Sequence, residues 1–319
     1  MLAATAGVLA AGGVLALGRH RRTRNVWKFG YGSNMSSEHL RNKKNLDPLA
    51  SHRTVLRGYR LSFPEGFGID FVEPAFATLV RDPDGEVHGV CTLFSADDAQ
   101  KLDRMERVGQ ERGYVVAETD VEIYDGGGRL RAEVYEHRNI AACHPEGVCS
   151  TRNRDILVAG ARENGLDAAW IAKLEALPTY APSAETLARR GTLPPISSLP
   201  VMTRAELAQH DGRDKSRATL VSSCGYVFEH EPFISAFRGR DITHRNALHR
   251  RGVNLDANDD ATVMARLSDL SADEREYCLC YRDRMLARSG APTHVLREFW
   301  EAQEREAPPL FTGNALSRL

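Results

Sequence analysis

The residues of this chain that could do chemistry fall in two places. One is the run Phe29-Gly30-Tyr31-Gly32-Ser33-Asn34-Met35, where two glycines bracket a tyrosine and a hydroxyl and an amide follow. The apolar residues Val26, Trp27 and Phe29 lead into it and read as a short buried strand, and a polar segment with helical character, Ser36 to Lys44, follows. A strand that ends in Gly-rich backbone and turns towards a helix gathers several N–H groups on one spot, a cradle for an anionic or carbonyl oxygen. Any ordinary strand-to-helix turn also calls for Gly and a Ser or Asn cap, so the loop alone is open to both readings. The other place is Glu106, in the last turn of a helix that begins at Ser95 and stops at Gly109. Ala99, Leu102 and Met105 recur there on one apolar stripe. Glu106 lies beside that stripe, at the negative end of the helix dipole, where a carboxylate is set apart from its surface neighbours. Asp103 and Glu111 are equally near in sequence, and a solvated glutamate fits the spacing as well.

Composition bounds the elements that must position these groups. At 319 residues, 42% hydrophobic and 27% charged, the chain has the size and make-up of two soluble globular domains. A net charge of −1 and the lack of a Lys/Arg stripe with interleaved aromatics argue against nucleic acid as a partner. The cysteines (Cys91, Cys143, Cys149, Cys224, Cys278, Cys280) show no C-x-x-C pair and no His partners at zinc spacing, and read as free thiols in a reducing compartment. Residues 1–18 carry no charge, and Arg19-His20-Arg21-Arg22-Thr23-Arg24 follow at once. Three readings stay open for residues 1–24: a membrane anchor through residues 1–18 with the domains in the cytoplasm, an organelle-targeting leader, or a disordered extension.

The first domain, residues 25–194, reads as a mixed sheet of about six strands with helices. Thr54 to Phe63 alternates as a strand, and Ala75 to Val80 and Val87 to Phe94 read as a hairpin turned at Asp82-Pro83-Asp84-Gly85. Tyr114 to Tyr124 and Arg131 to Tyr135 make a second hairpin around Asp125-Gly126-Gly127-Gly128. Helices follow over Arg152 to Glu163 and Asp167 to Leu177.

Three motifs in this region resemble the gamma-glutamylcyclotransferase family. Tyr31-Gly32-Ser33-Asn34-Met35 resembles its Tyr-Gly-Ser-Asn-Leu loop, Leu102-Asp103-Arg104-Met105-Glu106 its Leu-Asp-x-x-Glu segment, and Gly160-Ala161-Arg162-Glu163-Asn164-Gly165-Leu166 its Gly-Ala-x-Glu-Asn-Gly-Leu run. They occur in family order over roughly residues 26–194. The resemblance implies a small barrel-like α+β domain and a lyase that cyclises a γ-glutamyl amide to 5-oxoproline and releases the amine. It implies Glu106 as the catalytic acid/base and Lys28, Phe29, Gly30, Tyr31, Gly32, Ser33 and Asn34 as the substrate loop, with Lys28 in place of an aromatic. Tyr135 matches a pocket-lining tyrosine. An attacking α-amine needs a base, the tetrahedral oxyanion needs fixed donors, and the folded substrate brings amine and carbonyl together, so the expected cofactor is none and no metal is needed. Asn34-Met35 points to γ-glutamyl amino acids, since glutathione-specific relatives carry an apolar pair there and amine-specific ones Tyr-Gly-Thr-Leu. The expected partner is a small γ-glutamyl substrate, and a homodimer is compatible with the resemblance.

Five prolines from Pro178 to Pro200 mark a linker interrupted by the helical stretch Ala184 to Arg190. Beyond it, residues 200–290 resemble a cytochrome b5-like domain of the membrane-associated progesterone receptor type. The resemblance rests on Thr203-x-x-Glu206-Leu207 with Asp211-Gly212, Gly225-Tyr226-Val227-Phe228, Phe237-Arg238-Gly239-Arg240-Asp241-Ile242-Thr243 and Leu267-Ser268-Asp269-Leu270-Ser271. It implies a second α+β unit. Phe233 stands where that family has a haem-ligating tyrosine, with His230 nearby, so the expectation is a cofactor-free interaction module rather than a haem site. Residues 291–319 read as an amphipathic helix, with Val295, Leu296, Phe299 and Trp300 on one face, and a tail. A non-catalytic protein that binds haem or a partner through this second unit is the competing reading.

Overall fold

The computed structural model describes residues 24–110, 113–137, 145–229, 237–253 and 263–304. Residues 1–23, including the apolar leader, lie outside these, as do Cys143, His230 and Phe233. Among the described residues no helix is long and apolar enough to cross a membrane.

Five strands close into a barrel in the order β1-β3-β2-β4-β5: β1 Val26–Gly30, β2 Ala50–Ser62, β3 Thr78–Phe94, β4 Val115–Ile123 and β5 Arg129–Glu136. All pairs are antiparallel except β1 with β5, where Lys28↔Glu133 and Phe29↔Val134 close the ring in parallel. Phe29, Leu56, Tyr59, Val87, Val121 and Val134 fill the interior. The closure leaves no open sheet edge at β1, so the segment that follows β1 is delivered to a fixed place at the barrel rim.

The hairpin expected between Ala75–Val80 and Val87–Phe94 does not form. Both segments belong to β3 and pair with the same strand β2, Arg57 opposite Glu86 and Tyr59 opposite Arg81. Residues 82–85 leave the ladder as a bulge. The turn chemistry is present, with the Asp84 N–H donating to Asp82 Oδ1 at 3.3 Å, but the chain resumes its direction instead of reversing. Gly58 at φ 77° bends β2 at that point, and its 13 residues are long enough to pair with both arms. Six expected strands therefore become five. The β4–β5 hairpin forms as expected, in register from Val115↔Glu136 to Glu122↔Arg129.

Helix starts follow their caps. Ser95 caps α1 (Ala96–Met105), Ser150 caps α2 (Thr151–Glu163), Asp167 caps α3 (Ala168–Glu175) and Ser183 caps α4 (Ala184–Arg190), each accepting the N–H three residues on. Each such cap is worth about 1 kcal/mol. Thr203 with Glu206 and Ser271 with Glu274 form full capping boxes at α5 (Arg204–Ala208) and, beyond α6 (Thr243–Arg250), at α7 (Ala272–Ser289).

The second unit is a four-stranded sheet ordered β6-β9-β8-β7, from β6 Val201–Met202, β7 Leu220–Ser223, β8 Tyr226–Glu229 and β9 His294–Leu296. Cys224 (φ 50°) and Gly225 (φ 77°) form the two-residue turn between β7 and β8, where both positions need positive φ. Val295 and Leu296, expected on a helical face, are instead in β9 between β6 and β8; only Arg297–Glu304 (α8) is helical, and Phe299 there is fully buried. The two units are packed together. Val72 of the first inserts among Val221, Tyr277 and Tyr281 of the second. Arg288 and Arg284 of α7 face Asp70, and Arg190 of α4 grips Asp283 and Glu276 of α7 at 2.6 Å each.

Candidate active site

The rim of the barrel at the end of β1 opens into a cavity of about 400 Å³. Phe29 to Asn34 form one wall, Met105, Glu106 and Arg107 at the end of α1 a second, and the loop Gly66 to Ile69 a third, with Tyr114 and Tyr135 behind. Of the residues singled out from sequence, Phe29, Gly30, Tyr31, Gly32, Ser33, Asn34, Glu106 and Tyr135 all line it.

The strand-to-turn segment is fixed by close packing. A Cβ on Gly30 would lie 2.7 Å from the Asn34 carbonyl oxygen, so only glycine lets the chain fold back this tightly. Ser33–Met35 form a single 3-10 turn closed by the Met35 N–H on the Gly32 carbonyl at 3.0 Å. The first N–H groups of such a turn have no partner within it, and Gly32, Ser33 and Asn34, which carry them, line the cavity. The third motif supports the turn from outside. Asn164 Nδ2 donates to the Met35 carbonyl at 2.9 Å, and Gly160 leaves room for the Met35 side chain.

Glu106 is the C-cap residue of α1. Its Oε1 accepts from Lys44 Nζ at 2.6 Å and from Asn34 Nδ2 at 3.0 Å, and Lys44 also donates to Asn34 Oδ1 at 2.8 Å. The three side chains form a closed triangle. An ammonium and an amide N–H on one carboxylate oxygen fix its direction. Helix dipole and apolar surroundings were visible in the sequence; Lys44, 62 positions away, was not.

Lys28 does not line the cavity. It is 3% exposed and ion-paired with Asp103 at 2.5 Å and Glu133 at 2.6 Å, its Nζ 4.8 Å from the Tyr135 ring centroid. Tyr135 Oη donates to the same Asp103 oxygen at 2.8 Å. Lys28 thus sits behind Tyr135 and holds the group that holds it. Tyr31 Oη donates to the Tyr135 carbonyl at 2.7 Å, and Tyr114 Oη to the Ala77 carbonyl at 2.9 Å. Burial, then neighbouring negative or phenolic groups, pushes the ionisation of Tyr31, Tyr114 and Tyr135 above the ordinary tyrosine range, so all three stay neutral donors. Lys44, Tyr114, Arg107 and the loop Gly66–Ile69 with Phe67 and Phe76 were not singled out as site residues.

Among the described residues no cluster of His, Cys, Asp and Glu could hold a metal ion. A second cavity, of about 460 Å³, lies in the other unit between α5 and residues 238–241 and shares no lining residue with the first.

The chain is similar to known proteins over its first unit. The family described as gamma-glutamyl cyclotransferase, AIG2-like, matches residues 28–153. The gamma-glutamylcyclotransferase of Homo sapiens is 31% identical over 155 residues, 47% of this chain and 77% of that protein. That of Mus musculus is 29% identical over 153 residues with the same coverage. A solved structure described as a gamma-glutamyl cyclotransferase aligns at 25% identity and a TM-score of 0.41, over 49% of this chain and 89% of that one. The family match spans the barrel and α1, which carry most of the cavity's lining, and with the human relative 31% identical over 77% of its length the chain belongs to the gamma-glutamylcyclotransferase family as an enzyme of that type.

Proposed function

We propose that the first unit converts γ-glutamyl amino acids into 5-oxoproline and the free amino acid, with Glu106 moving the protons. The observation that carries this is the triangle of Lys44, Glu106 and Asn34 at the edge of a cavity walled by the Tyr31–Asn34 turn. The substrate's α-ammonium gives a proton to the Glu106 carboxylate. The freed amine attacks the γ-carbonyl carbon and forms the ring C–N bond. Backbone N–H groups of the turn hold the oxyanion, worth about 3–4 kcal/mol per donor in comparable sites. The scissile C–N bond then breaks, Glu106 returns its proton to the departing nitrogen, and the second proton of the original ammonium completes the released amine. Atoms balance without water. The tyrosines around the site, held neutral by burial, cannot replace Glu106 as base.

Asn34 acquires a reason in this scheme. Its amide N–H is one of the two donors that aim Glu106, which an apolar residue at that position could not supply. Glu106→Gln keeps the shape and removes the base, so 5-oxoproline formation from γ-glutamyl-alanine should fall at least about 10²-fold with the fold intact. Undiminished turnover would sink the proposal. The reading of residues 200–288 as a cofactor-free, cytochrome b5-like module remains a proposal from its motifs. The non-catalytic alternative for the whole chain has no support in the relatives, which are cyclotransferases by name.

A further inference from the structure

We propose that Arg107 reads the carboxylate of the departing amino acid, and so restricts the enzyme to γ-glutamyl compounds whose scissile nitrogen sits one carbon from a free carboxylate. The inference rests on the cyclotransferase reading above and adds the identity of the leaving group.

Two cations line the cavity, Lys44 and Arg107. Lys44 is engaged by Glu106 and Asn34. Among the described residues no hydrogen bond or ion pair engages the Arg107 side chain, which is exposed at the cavity wall. Its backbone is held in an unusual conformation, at φ 55°, a region that long side chains rarely enter. The turn that imposes this is tight. The Arg107 N–H donates to the Arg104 carbonyl at 3.2 Å, its own carbonyl accepts from Gln110 at 3.0 Å, and a Cβ on Gly113 would lie 1.7 Å from that carbonyl oxygen. A constrained arginine left without a partner among the described residues, beside the proton-moving carboxylate, is a cation kept for a ligand.

The depth of the cavity orients the substrate. Phe29, Tyr31 and Tyr135 are 1%, 7% and 4% exposed and form the closed end, while Met105 is 48% exposed at the mouth. Glu106 lies between, so the glutamyl part fits the closed end and the departing amine points outward past Met105 and Arg107. Consecutive Cα atoms are about 3.8 Å apart, and an α-carboxylate is one carbon from the scissile nitrogen. A guanidinium one residue beyond Glu106 is therefore within reach of it and can bind it bidentately. In γ-glutamyl-ε-lysine and in glutathione the free carboxylate of the departing part is several bonds further out.

The test compares γ-glutamyl-alanine with γ-glutamyl-ethylamide, which lacks only the leaving-group carboxylate and keeps that of the glutamyl part. The wild-type protein should prefer the dipeptide by roughly 10- to 100-fold in kcat/KM, the range of a charge-assisted contact, with the preference falling as salt rises. Arg107→Gly suits the positive φ and should fold; it should bring the ratio close to unity mainly through KM, and Arg107→Lys should restore part of it. An equal loss on both substrates would assign Arg107 to the glutamyl carboxylate or to the turn and overturn the proposal, as would a wild-type enzyme that does not distinguish them. No 5-oxoproline from either wild-type reaction would instead refute the cyclotransferase substrate reading itself.

Discussion

Gly30→Ala tests whether the packing of the Phe29–Met35 segment sets catalysis. A Cβ at residue 30 would lie 2.7 Å from the Asn34 carbonyl oxygen, 2.8 Å from its carbon and 3.2 Å from its Cβ. The obstacle is mostly backbone, so no side-chain rotation relieves it, and the turn must move outward by several tenths of an ångström. Overpacking of this kind costs about 1–3 kcal/mol, which lowers the melting temperature by about 2–4 °C per kcal/mol for a domain of 150–250 residues. The displaced residue is Asn34, whose Nδ2 is 3.0 Å from Glu106 Oε1. A hydrogen bond to a charged group contributes about 1.5–3 kcal/mol, so loss of that aim should lower kcat/KM by roughly 10- to 100-fold. Gly32→Ala is the control. It is two residues away in the same loop, yet a Cβ there meets nothing within 4 Å, so its melting temperature should stay closer to wild type. The assay is 5-oxoproline release from γ-glutamyl-alanine alongside a thermal melt of each variant. A Gly30→Ala protein with wild-type kcat/KM would refute the argument that this fold-back aims Glu106.

Two further outcomes are expected. Because burial raises the ionisation of Tyr31, Tyr114 and Tyr135, the unfolded chain loses these protons first as pH climbs past the ordinary tyrosine value of about 10. The folded protein then binds more protons than the unfolded one, so stability falls with rising pH above that point. Denaturant melts from pH 9 to 11 (about one unit either side of that value) should show the decline, and Tyr31→Phe should flatten it; a flat profile in the wild type would contradict the burial argument. For the second unit, hemin added to the intact protein should produce no Soret shift, and a shifted, saturable band would overturn the cofactor-free reading.

Local rules read much of the fold correctly. The helices read from Ser95 and from Asp167 begin at those residues, because an N-cap is a contact over three residues and leaves its mark in the sequence. The β3 segment misled for the opposite reason. Asp82-Pro83-Asp84-Gly85 has all the chemistry of a reversing turn, and Asp84 does close on Asp82, but the direction taken afterwards is decided by what β2 offers to pair with. Pairing is a long-range energy that turn residues cannot report. The same holds for Val295 and Leu296, whose helical spacing was overridden by the place open to them between β6 and β8.

At the site, what was legible was whatever has a short-range signature, and what was missed acts across the fold. The motif residues Tyr31, Asn34 and Glu106 converge on one cavity. Lys44 and the loop Gly66–Ile69 join them only because the barrel closes. The family resemblance puts Lys28 in the substrate loop, yet alternation along β1 sends its side chain to Asp103 and Glu133, the opposite way from Phe29. That loop has a further consequence. Gly66 to Ile69 form a wall of the cavity, while Asp70 meets Arg284 and Arg288 and Val72 is 2% exposed within the core of the second unit. On the opposite side Lys43, next to Lys44, donates to the Gly252 carbonyl, and Arg152 reaches the His249 carbonyl at 3.2 Å. The second unit therefore braces the Gly66–Ile69 wall of the cavity and the segment that carries Lys44. A loop without regular structure, carrying Gly66 and Gly68, depends on such tertiary contacts to hold Phe67 and Ile69 against a ligand. The linker prolines suggest two separable domains by composition; the packing makes the second a structural support of the candidate site.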